Sequence, residues 1–339
     1  MAEPTRFTRI RHRALIGLFV GLGLIAGGCA PLDEGDDRAS PGATGDGAAG
    51  GQLTIATGGT GGVYYVLGGG LATVIGDSVP GYSATAQETN ASVDNMQLIA
   101  NGGADIAFSL ADTAADAVEG REAFEGAPVD ACALGLLYDN YTQLVASANS
   151  GVASVEDLRS KRVSLGSPGS GTEVIALRIL EVAGLDPDAD IERQQLGIDD
   201  TVAALRDGTI DAGFWSGGLP TGALTDYATS GEMVIVPSGD SAAGLQEAYG
   251  EFYVAGEIPA DSYDGQTEAV STVVVPNVLV VSSETPEDLQ RQLTAALFDN
   301  KDALAEVHPE ANNLDAATAG DVTFMDVCPG SQTYFDEQG

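Results

Sequence analysis

The sequence predicts an α/β fold in two lobes, the first of them discontinuous and built from both ends of the chain. Strand and helix signals alternate along its length, the order expected of this class. Residues 53–75 (LTIATGGTGGVYYVLGGGLATVI) and 162–184 (RVSLGSPGSGTEVIALRILEVAG) each read as a β-branched strand, a Gly/Ser/Thr-rich turn and an apolar-periodic helix. Roughly 290 residues follow a polar N-terminal stretch, long for one core and comfortable for two.

Taken in order, residues 53–56 form a strand, 63–75 a helix and 82–87 a second strand. Residues 92–100 read as a helix with Ser92 at its N-cap. A short strand at 106–109 leads into a helix at 112–119, and two strands at 133–138 and 143–148 leave the first lobe. The second lobe opens with a capped helical turn at 154–158 and a strand at 162–165. A helix at 172–183 follows, stopped by Gly184. Strands at 192–196, 212–215 and 233–237 alternate with helices at 201–206 and 219–229. An apolar β run at 273–276 and 278–282 returns the chain to the first lobe, followed by helices at 286–300 and 303–307. The expected boundaries are 52–141 plus 269–339 for lobe 1 and 142–268 for lobe 2. Two crossings between lobes make a hinge, which permits closure around a ligand.

The N-terminus reads as an export signal. Arg6, Arg9, Arg11 and Arg13 precede an apolar run at 14–26, too short to span a bilayer. It ends Ile25-Ala26-Gly27-Gly28-Cys29, similar to a bacterial lipobox, with Ala26 where that pattern prefers Leu. The expectation is cleavage after residue 28 and lipidation of Cys29, which would anchor the protein at the outer face of the cell membrane. Ordinary secretory cleavage is the alternative. Residues 29–51 are rich in Asp, Gly, Ala and Ser and read as a flexible tether. No later stretch is long and apolar enough to predict a transmembrane helix.

Removing residues 1–28 removes four Arg and Glu3, leaving ten basic against 49 acidic residues, a formal charge of −39. Such a surface excludes nucleic acid as a partner and excludes docking on anionic lipid through a basic patch. Cys132 and Cys328 remain in an oxidising compartment, as a disulfide or as two buried thiols. No Cys-x-x-Cys pair or His-rich tract suggests a metal, and no cofactor is expected.

The candidate binding residues follow strand ends. Gly58-Gly59-Thr60-Gly61-Gly62 lacks the Lys of a P-loop and the spacing of a dinucleotide loop. It offers open backbone amides, the Thr57 and Thr60 hydroxyls, and Tyr64 or Tyr65 as an apolar wall; a tight strand–helix turn is the bland reading. Ser167, Gly169, Ser170, Gly171 and Thr172 offer N–H and O–H donors at a helix start, suited to a carboxylate. Thr172 stands where a P-loop would need Lys. Ser92 and Asn95 follow the second strand, either as ligand contacts or as helix caps. Ser109, Trp215 and Gly217 end other strands, with Trp215 either cleft floor or ordinary core. Catalysis finds little support: His12 leaves with the signal, His308 has no nucleophile near it in sequence, and no GxSxG elbow is present.

These blocks resemble the TAXI-type solute receptors, the substrate-binding subunits of one class of TRAP transporters, from about residue 53 to 339. The first Gly-rich loop with Tyr64-Tyr65, the RVSLGSPGSGTE segment, LRDGTIDAGFWSGG at 205–218 and the closing Pro329-Gly330…Tyr334-Phe335-Asp336-Glu337 carry the resemblance. It implies a two-lobe periplasmic-binding-protein fold of type II. It implies a monomeric, non-enzymatic receptor that takes a small carboxylate such as glutamate, or another amino or organic acid, to TRAP permease subunits. The ligand positions it carries over are Gly58–Gly62 with Tyr64, Ser92, Asn95, Gly169–Thr172 and the loop after Trp215. The family has His before Pro-Gly where this chain has Cys328, which favours the disulfide. No basic residue lies in the Gly-rich loops; Arg178 is the nearest in sequence, facing the ligand or solvent. A sensory lipoprotein using the same cleft, and an enzyme that has recruited it, are the competing expectations.

Overall fold

A computed structural model describes residues 50–338. The expected signal peptide, the Cys29 anchor and the tether up to residue 49 lie outside the described residues. Strands β1 (Gly51–Ala56), β2 (Tyr82–Gln87) and β3 (Ile106–Leu110) alternate with helices α1 (Val63–Ser78), α2 (Ser92–Asn101) and α3 (Ala111–Glu119). Strand β4 (Ala131–Ser147) follows. Then come β5 (Arg162–Ser164), α4 (Gly171–Val182), β6 (Glu192–Gln194), α5 (Ile198–Arg206), β7 (Ala212–Gly217), α6 (Gly222–Ala228) and β8 (Met233–Val236). The chain ends with α7 (Ala242–Tyr249), β9 (Val254–Ile258), β10 (Val270–Ser282), α8 (Glu287–Asp299), α9 (Lys301–Val307) and α10 (Pro329–Gln338).

The main path of the sheet runs β2-β1-β3-β10-β4-β7-β5-β6. Each end is a parallel set of three, β2-β1-β3 and β7-β5-β6. Between them β10 and β4 run antiparallel to their neighbours and to each other. The two halves therefore repeat one pattern, a parallel trio flanked by an antiparallel strand. Helices cover both faces of each half, giving separate apolar clusters around Phe108, Leu134 and Leu297 and around Met96 in one, and around Phe214 and Ile179 and around Tyr227 in the other.

Packing rather than intrinsic propensity holds α1. Gly68, Gly69, Gly70 and Gly76 lie within it, and a helix-interior Gly costs about 0.5–1 kcal/mol relative to Ala. Val63, Tyr64, Leu67, Leu71, Val74 and Ile75 are buried, and full burial of such side chains contributes about 1.5–3 kcal/mol each. Burial outweighs the glycines.

Several sequence expectations need correction. The strands expected at 133–138 and 143–148 are one continuous β4, and the two apolar runs near 276 are one β10. The turn signals Asp139-Asn140 and Pro276-Asn277 sit inside paired strands, and the ladder slips register between Pro276 and Val278. A bulge accommodates a residue that cannot donate to the ladder. The crossings between halves are thus two long strands rather than loops. Gly51, assigned to the tether, opens β1 opposite Tyr82. The helix expected from 219 begins at Gly222, after a cis Leu219–Pro220 bond. At 154–158 only Glu156–Leu158 is helical, as a 3-10 turn, with Asp157 accepting the Ala153 and Ser154 N–H groups. Cys132 and Cys328 form a disulfide that fixes the segment before α10 to β4. No described helix is long and apolar enough to cross a membrane.

Candidate functional site

A cavity of about 380 Å³ opens where strand carboxyl ends from both halves meet. Its wall comes from the turns after β1 and β2 and the end of β3 on one side, and from the turns after β5 and β6 and the end of β7 on the other, with Tyr138 and Asn140 from β4. Open α/β sheets bind ligands at this end because the following helices begin there. Residues at the N-termini of four helices border it: Val63 of α1, Ser92 of α2, Gly171 of α4 and Ile198 of α5. The first amides of a helix have no intrahelical acceptor, and each helix start carries partial positive charge. The lining contains no Lys, Arg, His or Cys.

The halves touch directly beside the cavity. A Cβ on Gly171 would lie 2.6 Å from Ser92 Oγ, and one on Gly62 would lie 3.2 Å from the Trp215 ring. Glycine at these two positions lets the segments approach. The Asp94 N–H also donates to the Gly169 carbonyl at 3.2 Å.

The structure sorts the sequence candidates. Gly58, Gly62, Tyr64, Ser92, Ser167, Ser170, Gly171, Thr172, Trp215 and Gly217 border the cavity. Thr57, Asn95 and Ser109 lie beneath it, fully buried. Thr57 Oγ1 donates to the Gln87 carbonyl at 2.6 Å, and Asn95 Nδ2 donates to the Thr57 and Phe108 carbonyls at 2.7 and 2.8 Å. Asn95 thereby ties β1, β3 and α2 together. Ser109 Oγ donates to the Leu110 carbonyl at 3.1 Å. Thr60 and Gly61 face an outer groove shared with Pro220 and His308. The Gly169 N–H is spent on Glu173 at 2.8 Å.

Ser92 is not a cap. The N-cap is Ala91, at φ 75°, and Ser92 Oγ accepts the Leu110 N–H at 3.2 Å. Ser170 does cap α4, accepting the Glu173 N–H at 3.1 Å. Trp215 is half-buried in the wall, with its Nε1 held by Thr221 at 2.9 Å. Arg178 faces neither solvent nor the cavity. It is buried between Asp116, at 2.5 Å, and Tyr253, at 2.9 Å.

Sequence reasoning missed Tyr138, Asn140, Glu88, Asp199 and Asp200, all of which border the cavity, whereas Ser216 falls in the expected block after Trp215. Tyr138 and Asn140 are two apart in a strand and so share a face, but the turn signal at Asp139-Asn140 hides that strand in the sequence. Tyr64 donates its hydroxyl to Asn277, which in turn donates to Asn140 at 2.9 Å. Burial drives the Tyr64 and Tyr138 phenols well above the ordinary range, so both stay protonated. The hydroxyls of Tyr138 and Ser216 are buried and have no partner among the described residues.

A profile of the NMT1-like family matches residues 55–339, nearly all of the described chain. The chain belongs to the NMT1-like family. This NMT1-like chain is also similar in fold to several solved proteins. A Xanthomonas citri protein solved bound to ATP matches with a TM-score of 0.51 at 14% identity, covering 84% of this chain and 98% of that one. The binding-protein component of an ABC phosphonate transporter from Pseudomonas aeruginosa gives 0.51 at 11% identity, covering 77% and 79%. The periplasmic aliphatic sulphonate binding protein SsuA from Escherichia coli gives 0.48 at 17% identity, covering 85% and 84%. The fold is that of the two-lobe, type II periplasmic binding proteins.

Proposed function

We propose that the protein is an extracytoplasmic solute receptor that captures a small carboxylate-bearing molecule in this cavity and delivers it to a membrane permease. One observation carries the reading: four helix starts, two from each half of the sheet, border a single solute-sized cavity. A carboxylate suits such a site because backbone amides supply hydrogen bonds and partial charge without a basic side chain. Tyr64 and Trp215 supply apolar wall for the rest of the molecule. The proposed lobes are 52–141 with 269–339, and 142–268, closing about β4 and β10. The TAXI resemblance favours a TRAP-type permease as the partner, and the lipobox-like Cys29 favours a lipid anchor at the outer face of the membrane. In the ABC phosphonate system a protein of this fold serves an ABC transporter, so the permease class is tested by its own experiment, reconstitution with each.

The receptor reading is checked by calorimetry of the purified mature protein against amino acids and organic acids, with mass spectrometry of small molecules released on denaturation. Saturable one-to-one binding is expected, with Trp215 fluorescence changing in parallel. Absence of both a released solute and any binding heat would remove it.

A further inference from the structure

We infer that the solute carries a cationic group as well as its carboxylate, so that amino-acid-like zwitterions or monocations are taken and dicarboxylates are refused. This rests on the receptor reading and narrows its substrate class.

The described chain has nine basic residues, and all are committed elsewhere. The seven arginines are in ion pairs. Lys161 and Lys301 donate to the Ser150 and Leu314 carbonyls, each at 2.6 Å. None borders the cavity. Arg178, the cation closest in sequence to the second Gly-rich loop, is locked to Asp116. A second carboxylate on the solute would find no side chain of opposite charge among the described residues that line the cavity.

It would instead meet three carboxylates. Glu88, Asp199 and Asp200 border the cavity, are exposed, and have no hydrogen-bond or ion-pair partner among the described residues. They come from both halves, Glu88 after β2 and the aspartates from the first turn of α5. The Asp199 carboxylate lies against the first Gly-rich loop: a Cβ on Gly61 would be 2.5 Å from its Oδ1. A like charge brought there is repelled, whereas an ammonium is held.

The helix starts are correspondingly unequal. Asp199 and Asp200 offset the positive end of α5, whereas α1 has no acid in its first turn. The cavity therefore has a cation-accepting side where α5 meets the loop before α1. Two unspent hydroxyls also line it. Tyr138, 4% exposed, and Ser216, 6% exposed, both border the cavity and have no partner among the described residues. A buried hydroxyl left without a partner is costly, and a polar solute would satisfy both.

The test is calorimetry and thermal shift of the wild-type mature protein with four pools: neutral amino acids, basic amino acids, amine-free monocarboxylates and C4–C6 dicarboxylates. The pool that binds is then resolved into single compounds. Binding is expected from an amino-acid pool, with the amine-free analogue of the bound compound at least tenfold weaker. Asp199→Asn with Asp200→Asn should weaken the aminated ligand by a similar factor, with the ligand-free protein still unfolding in one cooperative transition. Tighter binding of a dicarboxylate, or equal binding of the amine-free analogue, would overturn the inference and leave the receptor reading standing. So would undiminished affinity in the double variant. Silence from every pool, with no solute released on denaturation, would overturn both.

Discussion

Tyr138 and Ser216 are buried where a residue ordinarily needs a partner for its hydroxyl, and neither has one among the described residues. Deleting an unsatisfied group costs the protein little, while deleting a donor that a ligand uses costs affinity. Tyr138→Phe and Ser216→Ala should therefore leave the urea midpoint unchanged or raise it. Each should weaken solute binding on the order of tenfold, one hydrogen bond's worth. Lowered stability with intact affinity would assign both hydroxyls to the fold. Ser216 lies in the expected block after Trp215, but Tyr138 does not stand out in sequence, because nothing local marks a strand residue whose hydroxyl is idle. The Gly-rich turns were legible: a strand, a glycine turn and a helix start must bring backbone amides to the sheet's carboxyl edge. What spacing could not decide was direction. Asn95, three residues beyond Ser92, falls on the helix face turned under the turn, where it braces the Thr57 and Phe108 carbonyls. Thr57 likewise turns down to Gln87.

Helices α3 and α4 are joined by the most buried ion pair of the described chain. Arg178 reaches Asp116 at 2.5 Å and Tyr253 at 2.9 Å, and Tyr253 donates to Asp112 at 2.7 Å. The Tyr249 ring lies 4.3 Å from the guanidinium. Removing one member of such a set strands the others without water. Arg178→Met should accordingly lower unfolding free energy by about 3–5 kcal/mol, read from urea denaturation. Adding Asp112→Asn and Asp116→Asn should recover much of that loss, since the stranded charge rather than the lost bond dominates. A loss under about 1 kcal/mol would mean that water reaches the pair. Periodicity placed Arg178 within a helix but could not say that α3 would pack there. The same limit explains the element errors. Asp139-Asn140 and Pro276-Asn277 carry turn chemistry, yet pairing of β4 with β10 overrides it across both sites. Helices α7 and α10 and strand β9 went unread, because their apolar faces are short and each leans on neighbours distant in sequence. The early strands and α1, with strong local patterns, fell within a few residues of their expected bounds.

Across the whole molecule one buried acid adds a further contact between the halves. Glu310 follows α9, beside the Leu314 that packs into the first half's core, and is 4% exposed. Its carboxylate accepts the Leu219 N–H from the turn between β7 and α6, and the Asn313 amide at 2.6 Å. Burial raises its pKa above the ordinary value of 4.5, and those two donors pull it only part of the way back. The sign follows from proton linkage. An acid whose folded-state pKa is raised holds more protons folded than unfolded between the two values, so its contribution is present below the ordinary value and lost as pH rises through the raised one. Glu310→Gln keeps an acceptor for Leu219 and removes the titration. The wild type should thus lose stability relative to this variant between pH 4 and pH 7, as measured by paired urea curves. The opposite slope would mean that the Leu219 and Asn313 donors outweigh burial and favour the ionised form. The chain's formal charge of −36 adds general repulsion at neutral pH, but both proteins carry nearly all of it and it cancels in the comparison. What remains is the cost of holding one buried carboxylate between the two halves.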